Sequence, residues 1–385
     1  MSYEYLQRDD AVPVSLAKEV DRIEERTVEL NPDEEARAMR LHRESIIIDF
    51  HNHLYVLPEN IEKDLETYAR AGRIATGFEG LRKAGLTACL YAVGGLLARR
   101  SSPVAWQFRD LVWDMGMRQA DMDHHQDVVM RAYGVKDIHE AQKSGKTAVF
   151  LHVENGGVIG NDLDRVDVLY GLGLRCMGLS YNSRTFIADG ATEDRDGGLS
   201  KFGLKVIERM NRLGMLIDFS HSSELSTTEG VQASEAPCCL THAIAKGVFD
   251  NPKGKSDKVM ELLASRGGVI GVEAVPNITS DKDVQTVFDV LDHIDYLVRL
   301  VGVDHVAVGT DTMFGDHVAF HKVIAKPSGL GGLIKAFRAD HMEYIENPGQ
   351  IPNLTRALVT RGYTDQDIKR IMGENVLRLL SQTMG

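Results

Sequence analysis

Eight short segments rich in apolar and β-branched residues recur along this chain, and their alternation with helix-like segments limits its fold more than any other feature. The eight segments are residues 45–53, 87–93, 147–154, 174–182, 215–221, 236–243, 268–275 and 305–311. Several are separated by segments of helical length whose apolar residues are spaced three and four apart, at 199–213, 223–234, 256–266 and 283–300. Eight strands that alternate with helices predict an α/β fold, a (β/α)8 TIM-type barrel. A doubly wound open sheet is the alternative architecture.

The two ends of the chain are predicted to be helical. Residues 1–44 read as an N-terminal helical arm, in which an asparagine–proline pair followed by acidic residues favours a helix that ends at Glu44. Residues 327–385 are expected to complete the outer ring of helices. Within that tail, Thr364 is expected to cap a final helix that runs through Leu380.

The remainder, residues 45–385, is predicted to be a single barrel domain that carries one insertion. The insertion, about residues 101–143, is expected to be a helical hairpin over the mouth of the barrel. His124 and His125 lie within it, and we expect them at a solvated helix end and not among the ligands of a metal.

The overall charge excludes some classes of partner. The chain has 44 basic and 56 acidic residues, a formal net charge of −12, so nucleic acids and anionic membranes are not expected as partners. The polar, acidic N-terminus and the lack of a long apolar run favour a cytoplasmic protein. The cysteines lie within apolar runs and are expected to be buried, reduced thiols: Cys89, Cys176, Cys238 and Cys239.

Residues of the types that bind metals stand where several predicted strands end. The carboxyl ends of barrel strands meet at one rim, where barrel enzymes have their active sites, so these side chains should converge. Imidazole and carboxylate groups suit zinc and similar divalent ions. Their number suggests two ions with a carboxylate between them. The six candidate metal ligands are His51, His53, Glu154, His221, His242 and Asp311.

Two further residues share strands with these candidates. The two-residue period of a strand puts Asp49 on the same face as His51 and His53. A carboxylate there can fix the orientation of an imidazole ring that binds a metal. His152 has the same relation to Glu154, and we expect it to fill the barrel beside the metal centre in preference to binding an ion.

Several motifs, taken together, resemble one known family. IIIDFHNH, FLHVENGG, LGMLIDFSHSS, THA and VGTD occur in this order, with GLSKFG and the terminal NLTRALVTRGYTDQDIKRIMGENVLRLL. These motifs are similar to those of the membrane (renal) dipeptidase family of the amidohydrolase superfamily, over about residues 45–380. The segment 172–223 is the most distinctive part of the resemblance.

The resemblance implies a barrel with a binuclear zinc centre that hydrolyses dipeptides. It implies these roles: His51 and His53 for one ion, His221 and His242 for the other, Glu154 as the bridge, and Asp311 as ligand and proton-transfer group.

The chain departs from the family at three positions that bear on the site. His53 stands where the family has aspartate, which makes the centre more positive and should lower the pKa of bound water. Tyr181 stands where the family has a histidine thought to contact the substrate. Lys253 aligns approximately with an arginine expected to bind a dipeptide carboxylate, and a lysine lacks that bidentate fork.

These residues together predict metal-assisted hydrolysis of a small amide. Water or hydroxide held between two ions attacks the carbonyl, Asp311 transfers the proton, Tyr181 stabilises the oxyanion and Lys253 binds a substrate carboxylate. One alternative is an amidohydrolase acting on a non-peptide amide or lactam. Another is a non-catalytic barrel that only binds a ligand. The resemblance also allows a homodimer.

Overall fold

Eight parallel strands form the frame of the molecule. The structure is a computed structural model, and it describes residues 2–3, 5, 14–95, 100–101, 106–324 and 333–384. The barrel strands are β1 (Ile48–Asn52), β2 (Ala88–Ala92), β3 (Thr147–Val153), β4 (Leu174–Gly178), β5 (Leu216–Asp218), β6 (Cys239–Ala243), β7 (Val269–Val272) and β8 (Val306–Val308).

Helices surround these strands. They are α1 (Pro32–Glu44), α2 (Ile61–Ala71), α3 (Phe78–Ala84), α4 (Phe108–His124), α5 (Val135–Ser144), α6 (Asp164–Gly171), α7 (Lys201–Leu213), α8 (Glu224–Ala233), α9 (Asp257–Ser265), α10 (Val287–Val301), α11 (His317–Ile324), α12 (Pro352–Thr360), α13 (Asp365–Lys369) and α14 (Asn375–Met384). No helix among the described residues is both long and apolar enough to cross a lipid bilayer.

The strands pair in parallel in chain order, from β1 to β8. The first and last strands meet just beyond this ladder. The backbone N–H of Asp311 donates to the carbonyl of His51 at 2.8 Å, and the N–H of His53 donates to that of Thr312 at 2.9 Å. This consecutive order confirms the TIM-type barrel. It excludes the doubly wound sheet, whose strand order reverses part-way.

Apolar residues from alternate positions of the strands pack together with the last helix. Phe50, Phe150 and Cys176 belong to one buried cluster with Leu379 and Leu380 of α14. Helix α14 contacts β1, β5, β7 and β8, and its residues meet the chain just before those strands begin. The helix therefore lies across the amino ends of the barrel strands, opposite the rim where the candidate ligands stand.

The N-terminal helix and the cysteines agree with the sequence. Asn31 caps α1, accepting from the backbone N–H groups of Asp33 and Glu34, while the side chain of Glu34 reaches back to the N–H of Asn31. This reciprocal capping box stabilises the helix start. The four cysteines are free and buried.

The inserted segment differs from the predicted helical hairpin. Helix α4 is followed by a three-residue strand, Val129–Arg131, that pairs with β3, and only then by α5. Residues 102–105 lie outside the described part of the chain. His124 is exposed at the end of α4, as expected, but the prediction for His125 was wrong. Its ring is buried and stacks on Phe78 at 3.9 Å, because the helix end folds back onto α3.

The C-terminal helix is also more broken than predicted. The hydroxyl of Thr364 accepts from the backbone N–H of Asp367, as a capping residue should. The helix is then interrupted at Gly373 and resumes as α14. A β-carbon at Gly373 would lie 2.1 Å from the carbonyl oxygen of Ile46, so the interruption fits the close approach of the chain that leads into β1. Residues 327–332 of the predicted tail lie outside the described residues.

Candidate metal centre

The six candidate ligands converge at the carboxyl end of the barrel. His51 is the second-last residue of β1 and His53 follows that strand, Glu154 follows β3, and His221 lies in the turn after β5. His242 is in β6, and Asp311 follows β8. All six side chains are buried, and two groups of three have ligand atoms within 4.8 Å of one another: His51, Glu154 and His242, and His51, His53 and Asp311.

Glu154 faces both pairs of histidines. One carboxylate oxygen, Oε1, lies 3.1 Å from Nε2 of His221 and 3.7 Å from Nε2 of His242. The same oxygen is 3.8 Å from Nε2 of His51, while Oε2 is 3.7 Å from Nε2 of His53. Glu154 thus lies beside all four histidines, and it would be the residue shared between two ions bound there.

Asp311 also faces His51 and His53. Its Oδ1 lies 3.1 Å from Nε2 of His53 and 3.5 Å from Nε2 of His51, and its Oδ2 lies 3.8 Å from Nε2 of His242. The backbone of Asp311 has a φ of 53°, in the left-handed region that few residues other than glycine adopt. Such a conformation is costly and is found most often at functional sites.

Three of these groups have the protonation states that a divalent ion requires. His53 differs, because burial alone would lower its pKa but Asp311 and Glu154 outweigh burial and raise it. Burial lowers the pKa of His51 to about 4 and that of His242 well below its usual value, so both imidazoles are neutral at pH 7. Burial alone would raise the pKa of Glu154, but the hydrogen bond with His221 and the neighbouring His53 and His51 outweigh it and lower that pKa to about 2. Neutral imidazoles and an ionised carboxylate are the states that bind zinc.

Two buried ring nitrogens without hydrogen bonds bear on whether these residues fit a metal ion. Nε2 of His51 and Nδ1 of His53 are both buried, and neither makes a hydrogen bond of good geometry in the described structure. Buried polar atoms normally find a partner, and those that do not call for an explanation. A divalent ion on Nε2 of His51 would satisfy that atom, so the donor set fits the predicted metals.

Three residues that the sequence reading missed hold the histidine rings. Nδ1 of His221 donates to Oδ1 of Asn182 at 2.8 Å, which leaves Nε2 free to bind an ion. Nδ1 of His242 lies 2.9 Å from the hydroxyl of Thr241, and that hydroxyl donates to Asp218 at 2.8 Å. Partners of this kind fix the ring orientation of metal ligands. Thr241 and Asp218 lie inside the predicted strands, where their side-chain direction could have indicated this role.

Asp49 and His152, the predicted supporting residues, contact other groups. Asp49 accepts from the hydroxyl and the N–H of Thr310, at 2.7 and 2.8 Å, and from the backbone N–H of His51 at 3.3 Å. Asp49 therefore contacts the backbone of His51 and Thr310, which follows β8. It does not contact an imidazole ring, contrary to the prediction. Nε2 of His152 lies 3.3 Å from Asp218, and its ring meets that of His51 edge to face at 5.1 Å.

His152 and Asp218 form a charged pair behind the candidate ligands. Burial alone would lower the pKa of His152, but Cys176 and Asp218 outweigh it and raise that pKa to about 10. This positive imidazole keeps Asp218 ionised, and Asp218 in turn accepts the hydroxyl hydrogen of Thr241. The pair thus supports the orientation of His242 indirectly, through the hydroxyl of Thr241.

Tyr181 and Lys253, predicted to bind substrate, both lie at the site. The ring of Tyr181 is 4.2 Å from that of His221 and 5.4 Å from that of Trp106. Lys253 is buried, and its ammonium group lies 3.3 Å from Oδ2 of Asp311 and 2.5 Å from Oε2 of Glu273. The sequence reading missed Glu273, although it follows β7 just as Glu154 follows β3.

A comparison with protein-family models agrees with this geometry. The model of the membrane dipeptidase family (peptidase family M19) matches residues 35–319. The chain belongs to the membrane dipeptidase family. The match extends from helix α1 to helix α11, so it includes all six candidate ligands.

The chain is also similar in sequence to two proteins named as dipeptidases. The dipeptidase tcpJ of Claviceps purpurea is 27% identical over 277 residues, which are 71% of this chain and 60% of that protein. The dipeptidase verJ of Clonostachys rogersoniana is 29% identical over 271 residues, 69% of this chain and 64% of that protein. The alignments thus span less than two thirds of either relative's length.

A solved structure supports the fold of most of this chain. The amidohydrolase of Pseudomonas aeruginosa is 28% identical and superposes with a TM-score of 0.77. The alignment covers 90% of this chain and 99% of that one. The barrel described above is therefore the fold that this member of the membrane dipeptidase family shares with its structural neighbour.

Proposed function

We propose that the protein is a metal-dependent hydrolase that cleaves the amide bond of dipeptides or similar small substrates. The observation that carries this proposal is Glu154, whose carboxylate lies 3.1–3.8 Å from the Nε2 atoms of four buried histidines. Membership of the membrane dipeptidase family and the dipeptidase names of its relatives favour a dipeptide as substrate.

The proposed cofactor is a pair of divalent ions, with zinc the first expectation for this donor set. His51, His53 and Asp311 would hold one ion, and His221 and His242 the other, with Glu154 shared between them. Ions at such a centre polarise the substrate carbonyl and lower the pKa of water.

The side chains of the chain have distinct proposed roles in the reaction. Asp311 accepts the proton of the attacking water at a carboxylate oxygen and delivers it to the leaving nitrogen, as a general acid–base group does. The hydroxyl of Tyr181, beside His221, donates a hydrogen bond to the oxygen that becomes negative. The binding of a substrate carboxylate by Lys253 stays a prediction.

The test is hydrolysis of a dipeptide panel by the metal-loaded protein, with two variants. His221→Ala and Asp311→Ala should each reduce kcat/KM by on the order of 10²–10⁴-fold, because each removes a ligand or the proton-transfer group. His139→Ala, which changes an exposed histidine on α5, is the control and should retain full activity. Full activity in either site variant would refute the mechanism.

One observation favours a second candidate, an amidohydrolase acting on a non-peptide amide or lactam. Lys253, which aligns with the arginine expected to bind a dipeptide carboxylate, is buried and already paired with Glu273 and Asp311. A substrate without a free carboxylate would not need that lysine. Comparing dipeptides with their C-terminal amides separates the two candidates, since only a dipeptidase should prefer the free acid.

A further inference from the structure

Lys253 and Glu273 form a buried ion pair, and Glu273 has no role in the proposed chemistry. The ammonium nitrogen of Lys253 lies 2.5 Å from Oε2 of Glu273, and the two side chains are 1% and 0% exposed. An isolated charge at such depth is strongly disfavoured, so each residue requires the other. The pair sits beside the candidate metal centre, because Glu273 has an oxygen within 4.8 Å of ligand atoms of both His242 and Asp311.

The same ammonium group also reaches a proposed metal ligand. It lies 3.3 Å from Oδ2 of Asp311, and this contact is a hydrogen bond. A lysine ammonium has three N–H donors, and two of its neighbours here are carboxylates. Lys253 thus connects Glu273 on the β7 side with Asp311 on the β8 side.

The loop that carries Lys253 is itself held in place. The backbone N–H of Lys253 donates to Oδ1 of Asn251 at 3.0 Å, and Nδ2 of Asn251 donates to the carbonyl of Leu333 at 2.8 Å. The carbonyl of Asn251 also accepts from the N–H of Gly254 at 2.9 Å. A lysine on such a loop is part of a fixed structure and differs from a flexible surface arm.

Asp311 is therefore constrained at three of its polar groups. Its N–H donates to His51, its Oδ1 faces the rings of His51 and His53, and its Oδ2 is taken by Lys253. Its positive φ leaves the backbone little freedom to compensate if one of these contacts is lost. The ammonium of Lys253 thus determines which oxygen of Asp311 is turned toward the histidines of β1.

We infer that Lys253 and Glu273 are a positioning pair, in which Glu273 fixes Lys253 and Lys253 holds Asp311 so that Oδ1 faces the ion position at His51 and His53. The inference rests on the proposed function, since it takes Asp311 as a metal ligand. It gives both members of the pair a role in metal binding, and it does not require that either touch the substrate.

A role for Lys253 as a substrate anchor makes different predictions. An anchor variant would bind metal normally and would raise KM only for substrates with a free carboxylate. A positioning variant weakens metal binding and lowers kcat to the same extent for dipeptides and for their amides. The two roles also differ at Glu273, because removal of its charge should matter to metal binding only if the pair positions Asp311.

The experiment uses Lys253→Met, Glu273→Gln and the double variant, with cobalt(II) as the probe. Cobalt titration followed by its visible absorption spectrum measures metal binding without turnover, so it is readable even if no tested peptide is hydrolysed. We expect each single variant to bind one of two cobalt ions on the order of 10–100-fold more weakly, as loss of a supporting contact to a ligand does. The control is Lys246→Met, which removes a partly exposed lysine 3.4 Å from Glu224 and should not alter cobalt binding.

The double variant separates positioning from the cost of a buried, unpaired charge. Removing both charges together should restore thermal stability relative to either single variant, because no unpaired charge remains. Cobalt binding should stay weak, since Asp311 still lacks its partner. Wild-type cobalt affinity in the Lys253→Met and Glu273→Gln variants, or its full recovery in the double variant, would overturn the inference.

Discussion

The hydroxyl group of Thr241 connects the candidate ligand His242 with Asp218, which lies behind it. The hydroxyl lies 2.9 Å from Nδ1 of His242 and donates to Asp218, and Nδ1 of His51 is 3.4 Å away. Because the hydroxyl hydrogen is used on Asp218, Nδ1 of His242 must carry the hydrogen of the second bond. That tautomer leaves Nε2 of His242 as the nitrogen that can bind an ion. The uncharged hydroxyl of Thr241 therefore determines which nitrogen of His242 is available to a metal.

Replacing Thr241 with valine removes this hydroxyl and keeps the shape of the side chain. We expect metal affinity to fall by on the order of 10–100-fold, because the His242 ring loses its fixed tautomer and Asp218 loses a donor. Isothermal titration of the metal-free protein with zinc measures the change. The control is Thr228→Val on α8, whose hydroxyl bonds only the carbonyl of Glu224 at 2.8 Å. Equal zinc affinity in Thr241→Val and in the wild type would contradict this role.

At the scale of elements, close contacts between strands allow the barrel to close. A β-carbon at Gly309, which directly follows β8, would lie 1.9 Å from the carbonyl oxygen of Thr241 in β6. Any side chain there must push two parts of the barrel apart at the level of the candidate ligands. Gly309, two residues before Asp311, thus has a packing reason that is independent of any chemistry.

Gly309→Ala should therefore lower the free energy of unfolding by about 1–3 kcal/mol, the usual cost of overpacking. Gly116→Ala is the matched control. Gly116 lies exposed within α4, and an added β-carbon there meets nothing within 4 Å. This second change should stabilise the protein by about 0.5–1 kcal/mol, since alanine favours a helix. Urea unfolding of both variants tests the contrast, and equal effects would argue against the packing account.

Helix α1 is joined to the barrel through a buried histidine. Nδ1 of His42 lies 2.8 Å from the hydroxyl of Thr355 in α12, and Nε2 lies 2.9 Å from the carbonyl of Ala84 at the end of α3. Burial lowers the pKa of His42. Between that lowered pKa and the usual value near 6.5, the unfolded chain binds more protons than the folded one, so this histidine makes stability rise with pH.

His42→Gln should remove this part of the pH dependence. The contribution of His42 is fully present above about pH 6.5 and is lost as the pH falls through its lowered pKa. We expect the variant to be less stable by about 1–3 kcal/mol at pH 7, through lost hydrogen bonds, and the difference from the wild type to shrink as the pH falls below about 6.5. Denaturant unfolding across this range measures it. A difference that stays constant with pH would show that His42 does not titrate in this way.

At the scale of the whole molecule, the sequence predicted what depends on local pattern. The eight barrel strands and the candidate ligands at their ends were readable, because each residue of a ligand type stands where an apolar run stops. The two- and three-residue strands Val129–Arg131, Gln285–Thr286 and Met342–Glu343 were not, since so short a segment has no periodicity.

Contacts between distant parts of the chain were beyond the sequence. The pairing of Lys253 with Glu273 joins two loops, and neither residue alone indicates the other. His125 was expected in solvent because its neighbours are polar, yet Phe78 of another helix covers it. Gly373 interrupts the C-terminal helix at the point where Ile46 approaches, which only the assembled barrel shows.

Removal of metal should affect the whole molecule, since the candidate ligands come from β1, β6 and the ends of β3, β5 and β8. Ions that bind only the folded chain stabilise it by about 2.7 kcal/mol at a free concentration one hundred times Kd. We therefore expect chelation to lower Tm and re-addition of zinc to restore it. Calorimetry of the metal-free and reloaded protein tests this expectation, and a Tm that does not respond to zinc would speak against a metal centre at this rim.

The central claim is that six side chains at one rim of the barrel hold two divalent ions. Elemental analysis of the zinc-loaded protein and of His221→Ala after removal of free metal tests it most directly. The account predicts two zinc ions per wild-type chain, the same number in the surface control His139→Ala, and one in His221→Ala. No bound zinc in the wild type under any loading condition, or an unchanged zinc content in His221→Ala, would contradict it.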